Sequence, residues 1–158
     1  MEKLQILNTR EIKRIKQLLG AEFGYALEEE YAYLQNQKGR IFIITKEIAA
    51  LDFAALRIDK MGLYFAESKD NQLRLSKEGA QLLVQEARKH KKEVKNIVSL
   101  NKEEVTTYFQ GHDLGKDCGN ESRFVLLDYK NNILGCAKYR EGKIFNFLPK
   151  IHRGEVIV

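Results

Sequence analysis

The chain has 158 residues, a formal net charge of +5 and a hydrophobic fraction of 44%, and its length suits one domain or two small ones. That hydrophobic content is enough for a packed core, so the composition argues against disorder. Two cysteines are too few for a secreted disulfide framework, and no apolar run is long enough for a signal peptide or a membrane span, so we expect a cytoplasmic protein with no membrane partner.

The first third of the chain predicts a helix, a hairpin and a second helix. Apolar residues at helical spacing predict a first helix that is capped by Asn8 or Thr9 and ends at Gly20. A hairpin follows, with its second strand at 40–45, and a short helix is predicted over 46–56.

Two further strands, around 62–66 and 72–75, come before a helix that begins at the capping residue Ser76 and runs to about His90. A Lys/Arg-rich stretch after this helix is a candidate domain boundary. Its alternative interpretation is a solvated helix end, because cations suit the negative pole of the helix dipole. We therefore expect residues 1–93 to form an α/β platform.

The second half of the chain has a different pattern. A strand is predicted over 94–100, and a helix follows from Asn101 to Gly111, with a capping-box start. Three closely spaced strands joined by tight turns are then predicted within 123–148. A helix followed by such strands predicts a small barrel-like domain over 94–158, and the fold class is α+β.

The motifs of several enzyme classes are missing from the sequence. The chain has no Walker loop, no dinucleotide fingerprint and no nucleophile elbow, and its histidines and cysteines lack the spacing of metal ligands. Cys136 fits a small buried hydrophobe, and Cys118 has only Lys116 nearby in sequence to activate it, which is weak. We therefore expect no catalytic residue, no metal and no cofactor.

The second half does carry what RNA binding requires, namely cations for phosphates, polar groups for base edges and open main chain. A loop with two glycines follows the helix, and the last strands are rich in cations, although these cations could also serve only to solubilise a sheet. The candidate RNA-binding residues are Gly111, His112, Asp113, Leu114, Lys116, Arg123, Lys138, Arg140, Lys143, Asn146, Lys150 and Arg153.

Several segments resemble a known family. Residues 100–114 resemble the opening of a PUA domain, a helix followed by Tyr-Leu-x-Gly, and residues 132–138 resemble its Leu-Gly-x-x-Lys strand. Residues 143–150 resemble the ending found in the tail of RsmF-type ribosomal-RNA 5-methylcytosine methyltransferases, the Fmu family, and residues 73–80 fit the same tail upstream. The chain is more loosely similar to ribosome-biogenesis factors of the Nip-seven type, which pair an N-terminal α/β domain with a C-terminal PUA domain.

The resemblance implies RNA recognition through a C-terminal PUA-type β-barrel, without methyl transfer. The only proline is Pro149, and neither cysteine follows Pro or Thr, as the catalytic cysteine of the methyltransferases does. The matched polar positions are Lys138, Asn146 and Lys150. The expected partner is ribosomal RNA, or tRNA, in ribosome biogenesis or RNA modification, and ribosome-assembly proteins are further expected partners.

Two alternatives stay open at this point. One is a protein-interaction adaptor in a ribosome-assembly complex, which could use the acidic, tyrosine-containing region at 28–33. The other is a small hydrolase that acts on modified nucleosides. The hydrolase would need a pocket in which Lys138 or Lys116 lies beside a carboxylate.

Overall fold

The computed structural model describes residues 4–45 and 62–147. The chain separates into two compact units, Met1–Val94 and Lys95–Val158. Each unit contains a five-stranded sheet and at least one helix, so the α+β class is confirmed. None of the helices formed by the described residues has the length and apolar character needed to cross a membrane.

The sheet of the N-terminal unit is an antiparallel meander. Its strands are β1 (Gln5–Ile6), β2 (Tyr31–Gln35), β3 (Arg40–Thr45), β4 (Leu63–Lys69) and β5 (Gln72–Leu75), and they pair in chain order. The two described helices of the unit are α1 (Thr9–Phe23) and α2 (Lys77–Lys89). The predicted hairpin and the two strands after it are therefore present, and the helix predicted over 46–56 lies outside the described residues.

The first helix begins as predicted but ends later. Asn8 caps it in a capping box with Glu11, and Gly24 ends it with a left-handed φ of +73°, donating its N–H to the carbonyl of Gly20. The prediction that Gly20 ends the helix is wrong. The apolar stripe continues to the buried Phe23, and helical hydrogen bonding continues with it, so the second glycine, rather than the first, stops the helix.

The second helix lies on the sheet through its apolar stripe. The Oγ atom of Ser76 accepts a hydrogen bond from the N–H of Gly79 at 2.8 Å, which confirms the predicted cap. A buried carboxylate, Glu86, lies on the same side of the helix and accepts hydrogen bonds from the hydroxyl of Tyr25 and the N–H of Glu28. These bonds fix the segment that leads into β2 and satisfy a charge that would otherwise be costly to bury.

The sheet of the C-terminal unit is a curled half barrel. Its strands are β6 (Ile97–Ser99), β7 (Leu114–Gly115), β8 (Arg123–Tyr129), β9 (Asn132–Arg140) and β10 (Lys143–Phe145), and its helix is α3 (Lys102–Phe109). The order across the sheet is β6-β8-β9-β10-β7. Strand β6 runs parallel to β8, and the other neighbours are antiparallel. Strand β6, at Ile97–Ser99, is shorter than the strand predicted over 94–100.

Helix α3 packs on one face of the half barrel. Asn101 and Glu104 form the predicted capping box, and Val105, Tyr108 and Phe109 point into the core. Facing them are buried side chains from the central strands, among them Val125, Ala137 and Ile144.

The two hairpin turns of the C-terminal unit have the expected chemistry. Lys130 and Asn131 both have positive φ, at 50° and 68°, and Glu141 and Gly142 follow the same pattern at 48° and 77°. Paired positive φ values fit the turn twist that matches two antiparallel strands. These turns fix the register of β8, β9 and β10, which decides the face on which each cation lies.

Candidate nucleic-acid interface

The β9–β10 hairpin gathers cations on one face of the sheet. Lys143 lies opposite Arg140, and Phe145 lies opposite Lys138. Residues two apart on a strand point to the same side, so these four side chains share a face. Gly115 of β7 pairs with Lys143 from the other side and joins the same face. We call the five residues Gly115, Lys138, Arg140, Lys143 and Phe145 the hairpin face.

Like charges meet at the centre of this face. Arg140 is exposed, and it lies directly across from Lys143, whose side chain is 52% exposed. Two like charges directly opposite each other in an antiparallel pair destabilise that pair. The Nζ atom of Lys143 is 3.6 Å from the Oδ2 atom of Asp113, an exposed pair that contributes little. A bound phosphate would relieve the repulsion.

Aromatic rings support the two lysines of the face. The Nζ atom of Lys138 lies 4.5 Å from the ring centroid of Phe124, and the Nζ atom of Lys143 lies 5.4 Å from that of Phe145. Each ammonium group is held over a ring, where it is attracted to the negative face of the π system. The rings therefore hold the two ammonium groups in place, and a ring, unlike a carboxylate, does not neutralise their charge.

The glycine of the face leaves the main chain open. A Cβ atom at Gly115 would meet no heavy atom within 4 Å, and the residue is exposed. A ligand can therefore approach the backbone beside Lys143. Gly115 is one of the two glycines of the loop that the sequence predicts to open the backbone. Phe145 was missed by reasoning from sequence, because the face that it joins depends on the register of β9 and β10.

The loop after α3, predicted to bind RNA, is anchored by Asn146. Its Nδ2 group donates to the carbonyls of Tyr108 and His112 at 2.7 and 2.9 Å, and its N–H donates to the Oδ1 atom of Asp113 at 2.8 Å. Both hydrogens of the side-chain amide therefore bond within the unit. The structure gives Asn146 a positioning role, and a direct contact between Asn146 and RNA stays a prediction.

The other residues of that loop differ in exposure. Gly111 ends α3 with a φ of +88°, and His112 and Asp113 are exposed. Leu114 is buried in the core of the unit, so only its main chain could meet a ligand.

Lys116 is paired with a carboxylate. Its Nζ atom lies 3.1 and 3.2 Å from the two carboxylate oxygens of Glu104, and the side chains are only 32% and 19% exposed. Because the ammonium group is half-buried against its counter-charge, Lys116 adds little positive potential to the surface. The structure does not bring it into the set of cations on the hairpin face.

Arg123 holds a loop. Its guanidinium donates to the Oδ1 atom of Asn96 at 3.0 Å and to the carbonyls of Glu121 and Cys118 at 2.9 and 2.8 Å. It also lies over the ring of Tyr139, 5.2 Å from the centroid. Three donor groups are thus occupied inside the unit, and Arg123 acts as a clamp for the chain between β7 and β8.

Tyr139 completes this clamp and was not found by sequence reasoning. Its buried hydroxyl accepts hydrogen bonds from the N–H groups of Cys118 and Gly142, and it donates to the carbonyl of Gly119 at 2.7 Å. One hydroxyl therefore ties the β7–β8 loop to the β9–β10 turn. A tyrosine within a strand is typical of a core residue, so no local signal indicates this role.

The cysteines lack the surroundings of a nucleophile. Burial raises the pKa of the Cys118 thiol above its ordinary value, although Arg123 and Lys116 act in the opposite direction. Cys136 is buried, as predicted. Within residues 4–45 and 62–147, no three His, Cys, Asp or Glu side chains are grouped as metal ligands would be. Lys150 and Arg153 lie outside the described residues.

The half barrel, α3 and the hairpin face all lie within one segment that is similar to a known family. Residues 95–153 match the family model of the methyltransferase RsmF PUA domain. We call them the PUA segment. The match confirms the resemblance inferred from the sequence motifs, and it covers less than half of the 158 residues. No curated protein matches the chain. Because PUA domains bind RNA, the match supports RNA as a partner.

Proposed function

We propose that the protein binds RNA without catalysing a reaction on it, and that the hairpin face holds the RNA. The observation that carries this proposal is the register of β9 and β10, which places Lys138, Arg140 and Lys143 on one side of the sheet. The face belongs entirely to the PUA segment. Three cations beside an open main chain suit a phosphate backbone, which dominates the affinity of most RNA-binding proteins.

The finer assignments belong to the same proposal. The C-terminal unit is a PUA-type β-barrel, and residues 1–93 form an α/β platform that precedes it. The RNA is ribosomal RNA or tRNA, the setting is ribosome biogenesis or RNA modification, and the protein is cytoplasmic. The match of residues 95–153 to the RsmF PUA domain supports the PUA fold of the C-terminal unit and RNA as the partner, and the other assignments are proposed from the sequence.

The hydrolase alternative receives partial support from one contact. Lys116 does lie beside a carboxylate, that of Glu104, as such an enzyme would need. The alternative also needs a pocket at that pair. A cavity of about 410 Å³ in the N-terminal unit is not at this pair, since its described lining is Leu4, Gln5, Gln35, Asn36 and Gln37. We favour binding over hydrolysis because residues 95–153 match the model of an RNA-binding domain.

The adaptor alternative relies on an acidic region that is bonded within its own unit. The carboxylate of Glu29 lies 2.9 Å from the Nζ atom of Lys89 and accepts a hydrogen bond from the hydroxyl of Tyr31. These contacts lower the pKa of Glu29 below its ordinary value, chiefly through the bond to Lys89. The carboxylate is therefore already paired within its own unit, which leaves less of its charge for a partner protein. The hairpin face has no comparable set of internal bonds among the described contacts.

Measuring RNA affinity without partner proteins tests the proposal. The variant Lys138→Ala/Arg140→Ala/Lys143→Ala removes the cations of the hairpin face. We expect its affinity for structured ribosomal RNA to fall roughly 10- to 100-fold at low salt, and the slope of log affinity against log salt to flatten by about 2 to 3. Filter binding at several salt concentrations gives both quantities.

The control removes the same charge elsewhere in the unit. Lys95, Lys102 and Lys130 are exposed and lie outside the hairpin face. The variant Lys95→Ala/Lys102→Ala/Lys130→Ala removes the same three positive charges as the first variant, and it should still bind RNA within about threefold of wild type. If both triple variants lose the same affinity, the attraction is general and the face is wrong. If the first variant binds as wild type does, the proposal fails.

A further inference from the structure

We infer that the hairpin face takes an unpaired nucleotide, with its base stacked on Phe145 and its phosphate between Arg140 and Lys143. This inference rests on the proposed RNA binding and adds to it the state of the RNA. Two observations carry it. The hairpin face has a cationic row and, together with the neighbouring Phe124, an aromatic row, and its own aromatic residue, Phe145, is only partly buried.

The aromatic row crosses three strands. Phe124 of β8 pairs with Lys138 of β9, which pairs in turn with Phe145 of β10. Phe124 is buried, at 8% exposure, and the ammonium group of Lys138 covers its ring. Phe145 is only partly buried, and the Nζ atom of Lys143 lies 5.4 Å from its ring centroid, farther than Lys138 lies from that of Phe124. It is therefore the more accessible ring of the row, and a base would stack on the part that Lys143 leaves open.

The cationic row lies one step further along the same face. It consists of Gly115, Lys143 and Arg140, which are paired across β7, β10 and β9. Two residues along a strand span about 7 Å. A nucleotide likewise places its flat base and its charged phosphate a few ångströms apart. The open space above Gly115 leaves room for a ligand beside Lys143.

A duplex does not use such a surface. In an A-form helix the base faces are stacked inside, and the protein meets only phosphates, 2′-hydroxyls and base edges. Cations alone suffice for that contact, and a partly exposed phenyl ring beside them gains nothing from it. Unstacked bases in single strands and loops present their faces, and each base that stacks on an aromatic side chain adds to the affinity.

Comparing three RNAs of one sequence tests the inference: an unstructured single strand, a hairpin that carries the sequence in its loop, and a fully paired duplex. We expect wild-type protein to bind the first two more tightly than the duplex. The variant Phe145→Leu keeps an apolar side chain and loses the ring. Its affinity for the single strand and the loop should fall about 5- to 150-fold, and its affinity for the duplex should not change.

The other hairpin provides a matched control. Lys130 holds its Nζ atom 5.2 Å from the ring centroid of Tyr129, so this pair copies the lysine–aromatic contact at the opposite end of β9. The variant Tyr129→Leu should bind all three RNAs as wild type does. An equal loss from both variants would overturn the inference, because the effect would then follow from loss of an aromatic residue and not from this site.

A second measurement avoids relying on a loss of affinity. The chain contains no tryptophan, so Phe145→Trp introduces the only indole. Its fluorescence should be quenched when the single strand saturates the protein and should change little with the duplex, whereas a Tyr129→Trp reporter should respond to neither. Equal quenching by duplex and single strand would overturn the inference.

The failures of the two proposals can be told apart. If Phe145→Leu binds the single strand as wild type does while the triple cation variant has lost affinity, RNA binding at the face survives and stacking is wrong. If the triple cation variant keeps full affinity, the proposed function itself is wrong.

Discussion

The C-terminal unit holds its cations in two ways. In the chain between β7 and β8, Lys116 is paired with Glu104 and Arg123 bonds to main-chain carbonyls, so both charges stabilise the fold. On the hairpin face, Arg140 and Lys143 lie opposite each other with exposed side chains. The same residue types therefore serve stability in one region and present charge in the other. The number of cations in a sequence overstates the number that a ligand can meet.

The difference arises from the polar groups that surround each cation. The β7–β8 chain is irregular, so its carbonyls are not used by a sheet ladder and must find other donors. Arg123 and the hydroxyl of Tyr139 supply those donors. Along β9 and β10 the main chain is paired strand to strand, so the cations of the hairpin have no carbonyls to satisfy and extend from the sheet.

The largest loss of stability is expected from Tyr139→Phe, which tests whether internal bonds hold the β7–β8 chain. The substitution keeps the buried ring and removes a hydroxyl that bonds Cys118, Gly119 and Gly142. Leaving these main-chain groups without a partner should cost about 2 to 4 kcal/mol of unfolding free energy, measured by urea denaturation. Amide exchange at Cys118 and Gly142 should accelerate. Unchanged exchange would mean that the hydroxyl does not order the loop.

A smaller effect is expected from Arg123→Lys, which keeps the charge and loses the planar fork. Lysine cannot bond Asn96, Glu121 and Cys118 together, so the unfolding free energy should fall by about 1 to 3 kcal/mol. RNA affinity of the folded protein should stay within about threefold of wild type. A large loss of RNA affinity with unchanged stability would move Arg123 to the RNA-binding surface and break the comparison.

The smallest effect is expected for the pair formed by Lys116 and Glu104. A double-mutant cycle with Lys116→Met and Glu104→Gln, measured by urea denaturation, should give a coupling energy of about 0.5 to 1 kcal/mol, because the pair is only partly shielded from water. RNA affinity should change little in either single variant. If Lys116→Met instead weakened RNA binding as much as removal of a hairpin cation, its pairing with Glu104 would not neutralise it.

Local chemistry made much of the fold predictable. The caps Ser76 and Asn101 were recognised from the residue type and the pattern that follows it, and the structure confirms them. For the first helix the sequence offered Asn8 or Thr9, and the structure shows that Asn8 is the cap. The end of the first helix was not predictable in the same way. Both Gly20 and Gly24 can stop a helix, and the choice depended on where the buried stripe ended.

The candidate site was predictable only in part. Alternation along a strand already places Lys138 and Arg140 on one side. The positioning role of Asn146, however, depends on carbonyls 38 and 34 residues away in the chain. Phe145 joins the face only because β10 pairs with β9 in one particular register. A sequence pattern with a period of two residues does not report which strand lies beside it.

The sequence by itself determined the helix starts, the turn positions and the concentration of positive charge in the second half of the chain, because these depend on residue types and short-range spacing. The tertiary structure alone decided which charges remain available to a ligand. Lys116 and Arg123 met partners brought to them by folding, and the cations of the hairpin did not meet comparable partners among the described contacts. Whether a charged side chain is used inside the protein depends on the groups that strand pairing places around it, and those groups are distant in sequence.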